Sequence, residues 1–424
     1  MRAFSIGNKR QMLAAAAALM AAVSSAHAYQ LGDVFVIALE NHNFTQPTSF
    51  NASINPIDGD TTAAPFINSL INPASPNSAQ VSYETAYYNA GNAEHPSEPN
   101  YVWAEQGSNF NPTTPNAAGG GVSTAGGPTN TTKGVINGTT ILNDNDPSAA
   151  NGNIFPVSYA PNHLTGQLNA AGIQWNNYQE DYQYSSSPLV SASGIGGTHN
   201  GNTVVANPYN GSLQYNYAVK HNPMAFFADD NSHPTEQMSQ LTTDLANNTV
   251  GKYNWITPDQ YNDMHTALNG GFTYNGTHFT GDQAQIAQGD NFLSTVIPEI
   301  EASQAYQNNG AIIIWNDETE GADDTTVTST EIVISPDAKG DAYASSVPTS
   351  HSSDLKTMEE ILGLPEIDNP IPTSETYATG GYATVQGSND LSDLFQPGLQ
   401  VPEPSSMALL GVTGLLALKR KRRA

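Results

Sequence analysis

Short runs of apolar residues recur along the chain and predict buried strands. The clearest are VFVIAL at residues 34–39, GAIIIW at 310–315 and EIVIS at 331–335, and KYNWITP at 252–258 is a fourth candidate. Each run is short and contains β-branched or aromatic residues, and the last three lie next to Gly, Asn or Pro, as strands usually do. A run that is apolar at every position is typical of a strand buried on both faces, as in a parallel sheet covered by helices.

Two later stretches have the periodicity of amphipathic helices. Residues 290–306 place Phe292, Val296 and Ile300 on one face, and residues 353–364 repeat this spacing with Leu, Met and Ile. Such a period predicts a helix that buries one side. Strands that alternate with helices favour an α/β fold, here a mostly parallel central sheet with helices on both faces.

Two regions have a different composition. Residues 107–160 and 184–216 are rich in Gly, Asn, Thr and Pro. This composition predicts long loops over the sheet, such as a lid or cap, rather than linkers between domains. The roughly 370 residues between the two termini are ample for one buried core, so we expect a single domain over residues 29–400.

The two ends of the chain indicate delivery rather than fold. Basic residues precede an apolar, Ala-rich run that closes on the small residues of a cleavage site, so residues 1–28 are predicted to be a signal peptide cleaved before Tyr29. Residues 401–424 join a Pro-Glu-Pro turn, a short apolar run and five basic residues. That run is shorter than the roughly 20 residues of a spanning helix, which predicts transient membrane association through the tail; an ordinary C-terminal anchor is the alternative.

The charge balance excludes several classes of partner. The chain has 13 basic and 39 acidic residues, and once both termini are set aside only five basic residues remain, all lysines. So acidic a surface repels nucleic acid and anionic membranes and gathers cations. Without arginine in the body, a bound phosphate must be held by metal ions, lysines, backbone amides or helix N-termini. The chain has no cysteine, which excludes disulfides and thiol chemistry.

Polar side chains follow the predicted strands where the carboxyl ends of a parallel sheet would meet. Glu40 and Asn41 come directly after the first strand, and Asp317 and Glu318 follow the run at 310–315. In an open α/β fold this edge of the sheet carries the site. A divalent metal ion would explain adjacent acids that have no neighbouring cation in sequence; a capped loop and a surface acidic turn are the alternatives.

Other segments contain groups that could attack a substrate or move protons. Ser97 lies before an apolar helical start, which predicts a hydroxyl at a helix N-terminus, where the dipole and the free amides favour an anion. A simple capping serine is the alternative. Asp263 and His265 follow the run at 252–258, and His351 precedes the second predicted helix. Each of these alone is also explained by a solvated loop or a structural histidine.

Taken in order, these segments resemble the sequence pattern of the phosphoesterase family. The pattern is E-N after the first strand, H-P-S-x-P-N-Y, K-H-N-P, N-D-M-H, D-E after a later strand, and H-x-S before T-x-E-x-I-L-G-L, over residues 34–364. The family contains acid phosphatases and phospholipases C and belongs to the alkaline phosphatase superfamily, so the resemblance implies an alkaline-phosphatase-like fold with long loop insertions. The tail resembles the PEP-CTERM sorting signal, which an exosortase processes in Gram-negative bacteria.

The resemblance also implies a role for each site residue. Ser97 matches the family's nucleophile, which would form a phosphoserine intermediate. A divalent metal ion (Ca, Mg, Mn or Zn) would be bound by Glu40, Asn41, Asp317 and Glu318. Asp263 would orient a histidine or join a second metal. The histidines that would hold phosphoryl oxygens or protonate the leaving group are His95, His221, His265 and His351.

The implied activity is hydrolysis of a phosphate ester by an exported enzyme, at the cell surface or outside the cell. The sequence P-N-Y, where phospholipases favour P-N-R, favours an acid phosphatase acting on phosphomonoesters. Histidines that gain charge below their usual pKa of about 6.5 predict an acid optimum. The alternatives are a phospholipase C-type phosphodiesterase and a non-catalytic extracellular matrix protein. Lys220 is a candidate to face substrate, and Asp259, where Asn is usual in the family, leaves the role of its segment open.

Overall fold

The computed structural model describes the following parts of the chain: residues 31–88, 97–107, 163–184, 206–212, 216–227, 229–230, 233–321, 326–367 and 388–397, with short strand segments at 135–136, 139–140, 198–199 and 202–203. The predicted signal peptide, the sorting tail, His95 and most of the two predicted long loops lie outside these residues. By their contacts, residues 31–396 form one unit.

Strands and helices alternate along the described residues. The strands are β1 (Val34–Leu39), β2 (Val81–Glu84), β3 (Tyr87–Tyr88), β4 (Val135–Ile136), β5 (Thr139–Thr140), β6 (Trp175–Gln179), β7 (Thr198–His199), β8 (Asn202–Thr203), β9 (Thr235–Gln237), β10 (Tyr253–Thr257), β11 (Phe272–Tyr274), β12 (Thr277–Phe279), β13 (Ala311–Asn316), β14 (Glu331–Ile334), β15 (Tyr343–Ser345) and β16 (Thr349–Ser350). The α-helices are α1 (Pro65–Leu70), α2 (Glu98–Gln106), α3 (Leu164–Ala171), α4 (Met238–Asn247), α5 (Asp282–Glu301), α6 (Gln304–Gln307) and α7 (His351–Leu362).

Eight strands form one sheet, in the order β15-β2-β14-β13-β1-β10-β6-β9. Its neighbouring strands are parallel except at β14, which runs antiparallel to both β13 and β2. All four predicted strands are present, as β1, β10, β13 and β14. The prediction of an α/β fold with a mostly parallel central sheet is therefore confirmed.

Register brings the carboxyl ends of the central strands to one edge. β1 lies between β10 and β13 and pairs Val34 with both Tyr253 and Ala311, and Leu39 with Asn316. All three strands are buried at every position, as expected for strands covered on both faces. The segments that follow them therefore begin side by side.

Helices cover both faces of this sheet. On one face, Ile256 and Ile314 belong to the apolar core that also contains Leu293 of α5. Successive strand residues point to opposite faces, so Trp255 and Trp315 lie on the other face, where they meet the ring of Tyr101 of α2 edge-on at 6.0 and 5.3 Å. This packing fixes α2 against the strands whose ends carry the predicted site.

The first predicted helix differs from the observed one at both ends. α5 begins at Asp282 rather than at residue 290, and it ends at Glu301. A separate short helix follows because the Ser303 hydroxyl accepts a hydrogen bond from the Tyr306 amide at 3.2 Å, and such a cap starts a new helix. The apolar pattern of the sequence therefore runs on past the point where α5 ends, because the Ser303 cap divides the segment into two helices.

The second predicted helix starts earlier than its apolar pattern does. α7 begins at His351, because the side chains of Ser350 and Ser353 form the reciprocal hydrogen bonds of a capping box. The cap places His351 in the first turn of the helix. No helix within the described residues is long and apolar enough to cross a membrane.

Candidate active site

The carboxyl edge of β1 and β13 carries a cluster of oxygen atoms. Glu40 follows β1 and is fully buried, and Asn41 has a positive φ of 35°, a conformation that Asn adopts more readily than most residues. The resulting turn lets the Asn41 amide donate to Asp317 Oδ1 at 3.0 Å, while Asn41 Nδ2 donates to Glu40 Oε2 at 2.9 Å. Asn41 thereby ties the end of one strand to the end of its neighbour.

Three carboxylates converge at this edge. Glu40, Asp317 and Glu318 are all buried, and each offers one oxygen within 4.8 Å of the others. Burying like charges together is costly unless a cation compensates them. Hard oxygen donors of this kind suit a divalent cation such as Ca, Mg or Mn. The residues present therefore fit the metal ion that the sequence predicts.

The Ser97 hydroxyl points into this cluster instead of capping its own helix. Ser97 precedes α2, is buried and makes no side-chain cap hydrogen bond. Its Oγ donates to Glu40 Oε2 at 2.9 Å and lies 3.4 Å from Glu318 Oε1. One turn later, Asn100 Nδ2 donates to Glu318 Oε2 at 3.4 Å, because residues three apart share a helix face. α2 thus presents a hydroxyl and an amide to the carboxylates.

His221 lies between two carboxylates. Its Nδ1 is 3.0 Å from Asp263 Oδ2 and its Nε2 is 2.8 Å from Glu40 Oε1. Its ring stacks on Tyr101 at 5.1 Å between centroids. Burial raises the pKa of Asp263 to about 6, and the hydrogen bond from His221 opposes this rise. Asp263 accepts a hydrogen bond from His221 and so orients its ring toward Glu40, as carboxylates behind the histidine ligands of metal sites do. A histidine ligand is also compatible with Zn.

His265 is held by its neighbours in a neutral form. Its amide donates to Asp263 Oδ1 at 2.8 Å, its Nδ1 lies 2.9 Å from Thr266 Oγ1, and its Nε2 lies 3.2 Å from Lys220 Nζ. Burial, and then the charge of Lys220, lower the pKa of His265 well below its usual value. An ammonium group can only donate, so Nε2 accepts and Nδ1 carries the proton. One ligand atom each of Glu40, His221 and His265 also lies within 4.8 Å of the others.

His351 lies behind the cluster. Its Nε2 is 2.5 Å from the carbonyl oxygen of Asp317, and its Nδ1 is 3.1 Å from Trp315 Nε1 and 2.6 Å from Tyr87 Oη. A carbonyl only accepts and an indole only donates, so the ring proton is on Nε2. Burial lowers the pKa of His351 to about 3, which keeps the ring neutral. Through Nε2, His351 contacts the main chain of Asp317, a candidate metal ligand.

Asp259 shapes the turn that presents Asp263. Its Oδ1 accepts hydrogen bonds from the amides of Tyr261 and Asn262 at 3.1 and 3.0 Å, and its carbonyl accepts one from the Asp263 amide at 2.8 Å. This is the local turn chemistry typical of Asp and Asn. The segment whose role the sequence left open is therefore a buried turn beneath the site.

Sequence reasoning assigned no role to three polar groups around the cluster. Besides Asn100, Asn316 Nδ2 donates to the Glu40 carbonyl at 3.2 Å, and His42 Nδ1 lies 3.2 Å from the same oxygen. The position of Asn100, three residues after Ser97 on a helix, could have identified it. His42 and Asn316 gave no such signal, because their contacts depend on how the strand ends pack.

Two family models match the sequence. The Phosphoesterase family model matches residues 85–365, and the model of the PEP-CTERM protein-sorting motif matches residues 400–423. A search of curated proteins finds no significant match. Glu40 and Asn41 precede the matched phosphoesterase segment and contact it through Ser97, His221 and Asp317.

Similar solved structures share little sequence with the chain. A protein in the alkaline phosphatase superfamily from Vibrio parahaemolyticus is 9% identical with a TM-score of 0.43, and the match covers 80% of this chain and 68% of that one. The phosphonate monoester hydrolase of Agrobacterium radiobacter is 12% identical with a TM-score of 0.40 and coverage of 88% and 78%. The lipoteichoic acid synthase LtaP from Listeria monocytogenes is 9% identical with a TM-score of 0.38 and coverage of 84% and 76%.

The family assignment rests on the sequence match. The phosphoesterase model spans more than half of the chain and includes Ser97, the Asp317–Glu318 pair and His351, which confirms the resemblance seen in the sequence. The PEP-CTERM motif indicates export in a Gram-negative bacterium and processing by an exosortase. The chain belongs to the phosphoesterase family, with a PEP-CTERM sorting motif at its C-terminus, and is a hydrolase of ester bonds.

Proposed function

We propose that the protein is an exported, metal-dependent acid phosphatase that hydrolyses phosphomonoesters through a phosphoserine intermediate. The observation that carries this proposal is the Ser97 hydroxyl, 2.9 Å from Glu40 Oε2 and 3.4 Å from Glu318 Oε1, at the start of α2. A serine that only capped the helix would turn its oxygen toward the helix amides. A hydroxyl directed at carboxylates instead is suited to nucleophilic attack, and it lies at a helix N-terminus, whose dipole favours a bound anion.

The candidate metal ligands are Glu40, Asn41, Asp317 and Glu318. When bound, the metal would lower the pKa of the serine hydroxyl and neutralise phosphoryl charge. The chain's own contribution is to fix the donor atoms in advance. The Asn41 amide holds Asp317, and the Asn100 side chain holds Glu318, so the ligands need not reorganise when substrate arrives.

The reaction divides into two displacements at phosphorus. In the first, Ser97 Oγ forms a bond to phosphorus as the ester oxygen leaves, and the hydroxyl proton moves along its hydrogen bond toward Glu40 Oε2. The leaving oxygen takes up a proton from solvent and departs as an alcohol. In the second, water attacks phosphorus and releases a proton to solvent, the bond to Ser97 Oγ breaks, and the serine oxygen regains its proton from Glu40. Inorganic phosphate and a restored hydroxyl are the products.

Lys220 supplies the positive charge for phosphate in this proposal. Its Nζ lies beside the neutral His265, and the mature body has no arginine to take this role. His351 is neutral as well, and we assign it to positioning Asp317 rather than to contact with substrate. The role of His95 stays a prediction, since it lies outside the described residues.

Trapping the covalent intermediate tests the proposal. Metal-loaded protein is mixed with 4-nitrophenyl phosphate, quenched in acid and digested, and the peptides are analysed by mass spectrometry. We expect phosphate on Ser97 and none on Ser303, a buried serine that caps α6. Turnover without phosphate on Ser97 would refute the serine mechanism.

A substrate panel tests the specificity. We expect faster hydrolysis of aryl and alkyl phosphomonoesters than of a phosphocholine diester, under the same metal loading. Preference for the diester would assign the protein to the phospholipase C type. Inactivity toward both, with metal bound, would favour the non-catalytic matrix protein.

A further inference from the structure

We propose that the chain has a second divalent cation site, formed by His42, Asp282 and Glu320. These residues come from the segment after β1, the start of α5 and the segment after β13. One ligand atom from each lies within 4.8 Å of the other two. The set shares no side chain with the carboxylates that face Ser97, so it is a separate site.

The tautomer of His42 prepares it to bind a cation. His42 is 1% exposed, and its Nδ1 lies 3.2 Å from the carbonyl oxygen of Glu40. A carbonyl oxygen can only accept, so Nδ1 carries a proton. Histidines that bind metals characteristically donate one ring N–H to a backbone carbonyl or carboxylate and coordinate through the other nitrogen.

The other nitrogen of His42 faces carboxylates. His42 Nε2 lies within ion-pair distance of Asp282 Oδ1, at 3.3 Å, but the geometry of a hydrogen bond is absent at both atoms, and at Glu320 Oε2, within the described residues. A lone pair on Nε2 opposite anionic oxygens would be repulsive. A positive charge must therefore occupy this position, either as a proton on Nε2 or as a metal ion.

Other contacts hold the carboxylate of Asp282 and the main chain of Glu320 in place. Asp282 Oδ2 accepts hydrogen bonds from Asn55 N at 2.8 Å and Asn55 Nδ2 at 2.5 Å, which leaves Oδ1 toward His42. Asn43 holds the backbone of Glu320 from both sides: its Oδ1 accepts from the Glu320 amide at 2.8 Å and its Nδ2 donates to the Glu320 carbonyl at 3.1 Å. A site whose donors are fixed before the ion arrives loses little entropy on binding.

The donor set and its spacing favour a metal ion over a proton. One imidazole and two carboxylates suit Zn²⁺ or Mn²⁺, with water completing the coordination. Ligands about 2.0–2.2 Å from such an ion stand roughly 3–4 Å apart, and the 3.3 Å between His42 Nε2 and Asp282 Oδ1 already matches this. A single proton would bridge only two of the three groups.

The second ion would support the first site through the carbonyl oxygen of Glu40. The Glu40 carbonyl accepts from His42, and the Glu40 carboxylate accepts from Ser97. An ion that fixes the His42 ring therefore fixes the main chain of a residue beside the nucleophile. It would also stabilise the fold, because its ligands are far apart in sequence and no such site exists in the unfolded chain.

Metal stoichiometry tests the proposal. The folded chain is stripped with a chelator, titrated with Zn²⁺ or Mn²⁺ alone, and bound metal is measured by elemental analysis after dialysis. Asp282→Asn and Glu320→Gln, each made separately, should bind one ion fewer per chain than the wild type. Glu299→Gln changes a half-buried acid of the same helix α5 outside the cluster; it is the matched control and should bind the wild-type number.

A third variant separates this site from the one near Ser97. Glu318→Gln should also lose one ion, and Glu318→Gln combined with Asp282→Asn should lose two. Loss of an ion in Asp282→Asn but not in Glu318→Gln would uphold the second site while contradicting the metal in the proposed function. Circular dichroism establishes that each variant is folded. If Asp282→Asn does not fold, Glu320→Gln tests the site instead, because it changes a side chain that is only partly buried.

An unchanged metal stoichiometry would contradict the second site. If folded Asp282→Asn or Glu320→Gln binds as many ions as the wild type, the cluster is an ion triad around a protonated His42, and the proposal is wrong. The thermal midpoint gives an independent readout. Added Zn²⁺ or Mn²⁺ should raise it more in Glu318→Gln than in the double variant, and equal shifts would also overturn the second site.

Discussion

Two clusters of buried acids in the same sheet behave differently. The edge cluster consists of Glu40, Asp317 and Glu318, and the interior cluster consists of Glu84 of β2, Glu331 of β14 and Asp354 of α7. Five of these side chains are buried, and Asp354 is half-buried. The edge cluster brings its oxygens within 4.8 Å of one another, whereas among the described residues the interior cluster does not form such a group.

The acids of the interior cluster have raised pKa values and therefore bind protons more tightly than ordinary carboxyl groups. Burial raises the pKa of Glu84 and that of Asp354 to about 7, and it raises the pKa of Glu331 well above its usual value, with Asp354 adding to the effect. The edge cluster instead receives the hydroxyl of Ser97 and the amide of Asn100. Burial thus raises the carboxyl pKa values in the interior cluster, whereas the edge cluster has the converging oxygens and fixed donors that we expect of an ion site.

Removing the nucleophile should have the largest effect. We expect Ser97→Ala to lower kcat by roughly 1,000-fold or more, the size of effect seen when a covalent nucleophile is removed, while metal content and folding stay close to wild type. Ser303→Ala is the control, because its hydroxyl caps α6; it should lose about 1 kcal/mol of stability and no rate. Initial rates with an aryl phosphate and urea unfolding measure the two quantities. Equal rates in both variants would reduce Ser97 to a structural residue.

The second-largest difference is expected when one acid of each cluster is replaced by its neutral amide. Glu318→Gln should lose its metal ion and more than roughly 100-fold in kcat/KM, since metal sites depend strongly on each ligand. Glu331→Gln resembles the protonated acid already present, so its activity should stay within about twofold of wild type. Elemental analysis and steady-state kinetics on both variants decide the matter. A metal-free but active Glu318→Gln would contradict the edge cluster as an ion site.

The pH dependence of stability tests Glu84 of the interior cluster and gives a smaller effect. Glu84 has a folded-state pKa of about 7 against an ordinary value of 4.5, so the folded protein binds more protons and stability falls as pH rises. The contribution is complete below the ordinary pKa and is lost as pH rises through 7. The nearby Lys339, paired with Asp393 at 2.6 Å, lowers the pKa of Glu84 but does not cancel the effect of burial.

Urea unfolding between roughly pH 4 and 9, a span around the ordinary and shifted carboxyl pKa values, measures this loss. Glu84→Gln should be more stable than wild type by about 2 kcal/mol at the alkaline end and should show a flatter profile. Parallel profiles for the two proteins would mean that Glu84 is ionised throughout.

The smallest effect tests whether neutral buried acids are a general feature of this chain. Burial, with nearby Glu180, raises the pKa of Asp259 well above its usual value, and Asn keeps the oxygen that accepts from the Tyr261 and Asn262 amides. We therefore expect Asp259→Asn to change stability by less than about 1 kcal/mol and activity by less than twofold. Thermal unfolding and kcat/KM measure both. A large loss of rate would indicate that the ionised acid contributes to the site.

The fold followed from local patterns, and its departures have local causes. The apolar runs that became β1, β10, β13 and β14 were readable because a strand buried on both faces tolerates few polar residues. The break between α5 and α6 was not readable from apolar spacing. It depends on the Ser303 cap, which competes with the apolar period over a few residues.

The charge of the histidines shows what a sequence leaves open. Their ordinary pKa of about 6.5 predicted cations in mild acid, yet burial lowers the pKa of His351 to about 3, and burial with Lys220 lowers that of His265. Protonation depends on the solvent and charges around a ring, and those are set by residues distant in sequence. For this reason we assign the role of the cation that binds phosphate to Lys220 rather than to a histidine.

The sequence by itself determined the kinds of chemistry available: acids and amides after buried strands, a serine before a helix, no arginine in the body and no cysteine. These depend only on residue type and local order. Only the tertiary structure decided which atoms meet. The Ser97 hydroxyl turned toward Glu40, and His42, Asp282 and Glu320 came together from segments up to 278 residues apart in sequence. Strand register and helix docking fix such distances, and they arise from packing the entire sheet rather than from any one segment.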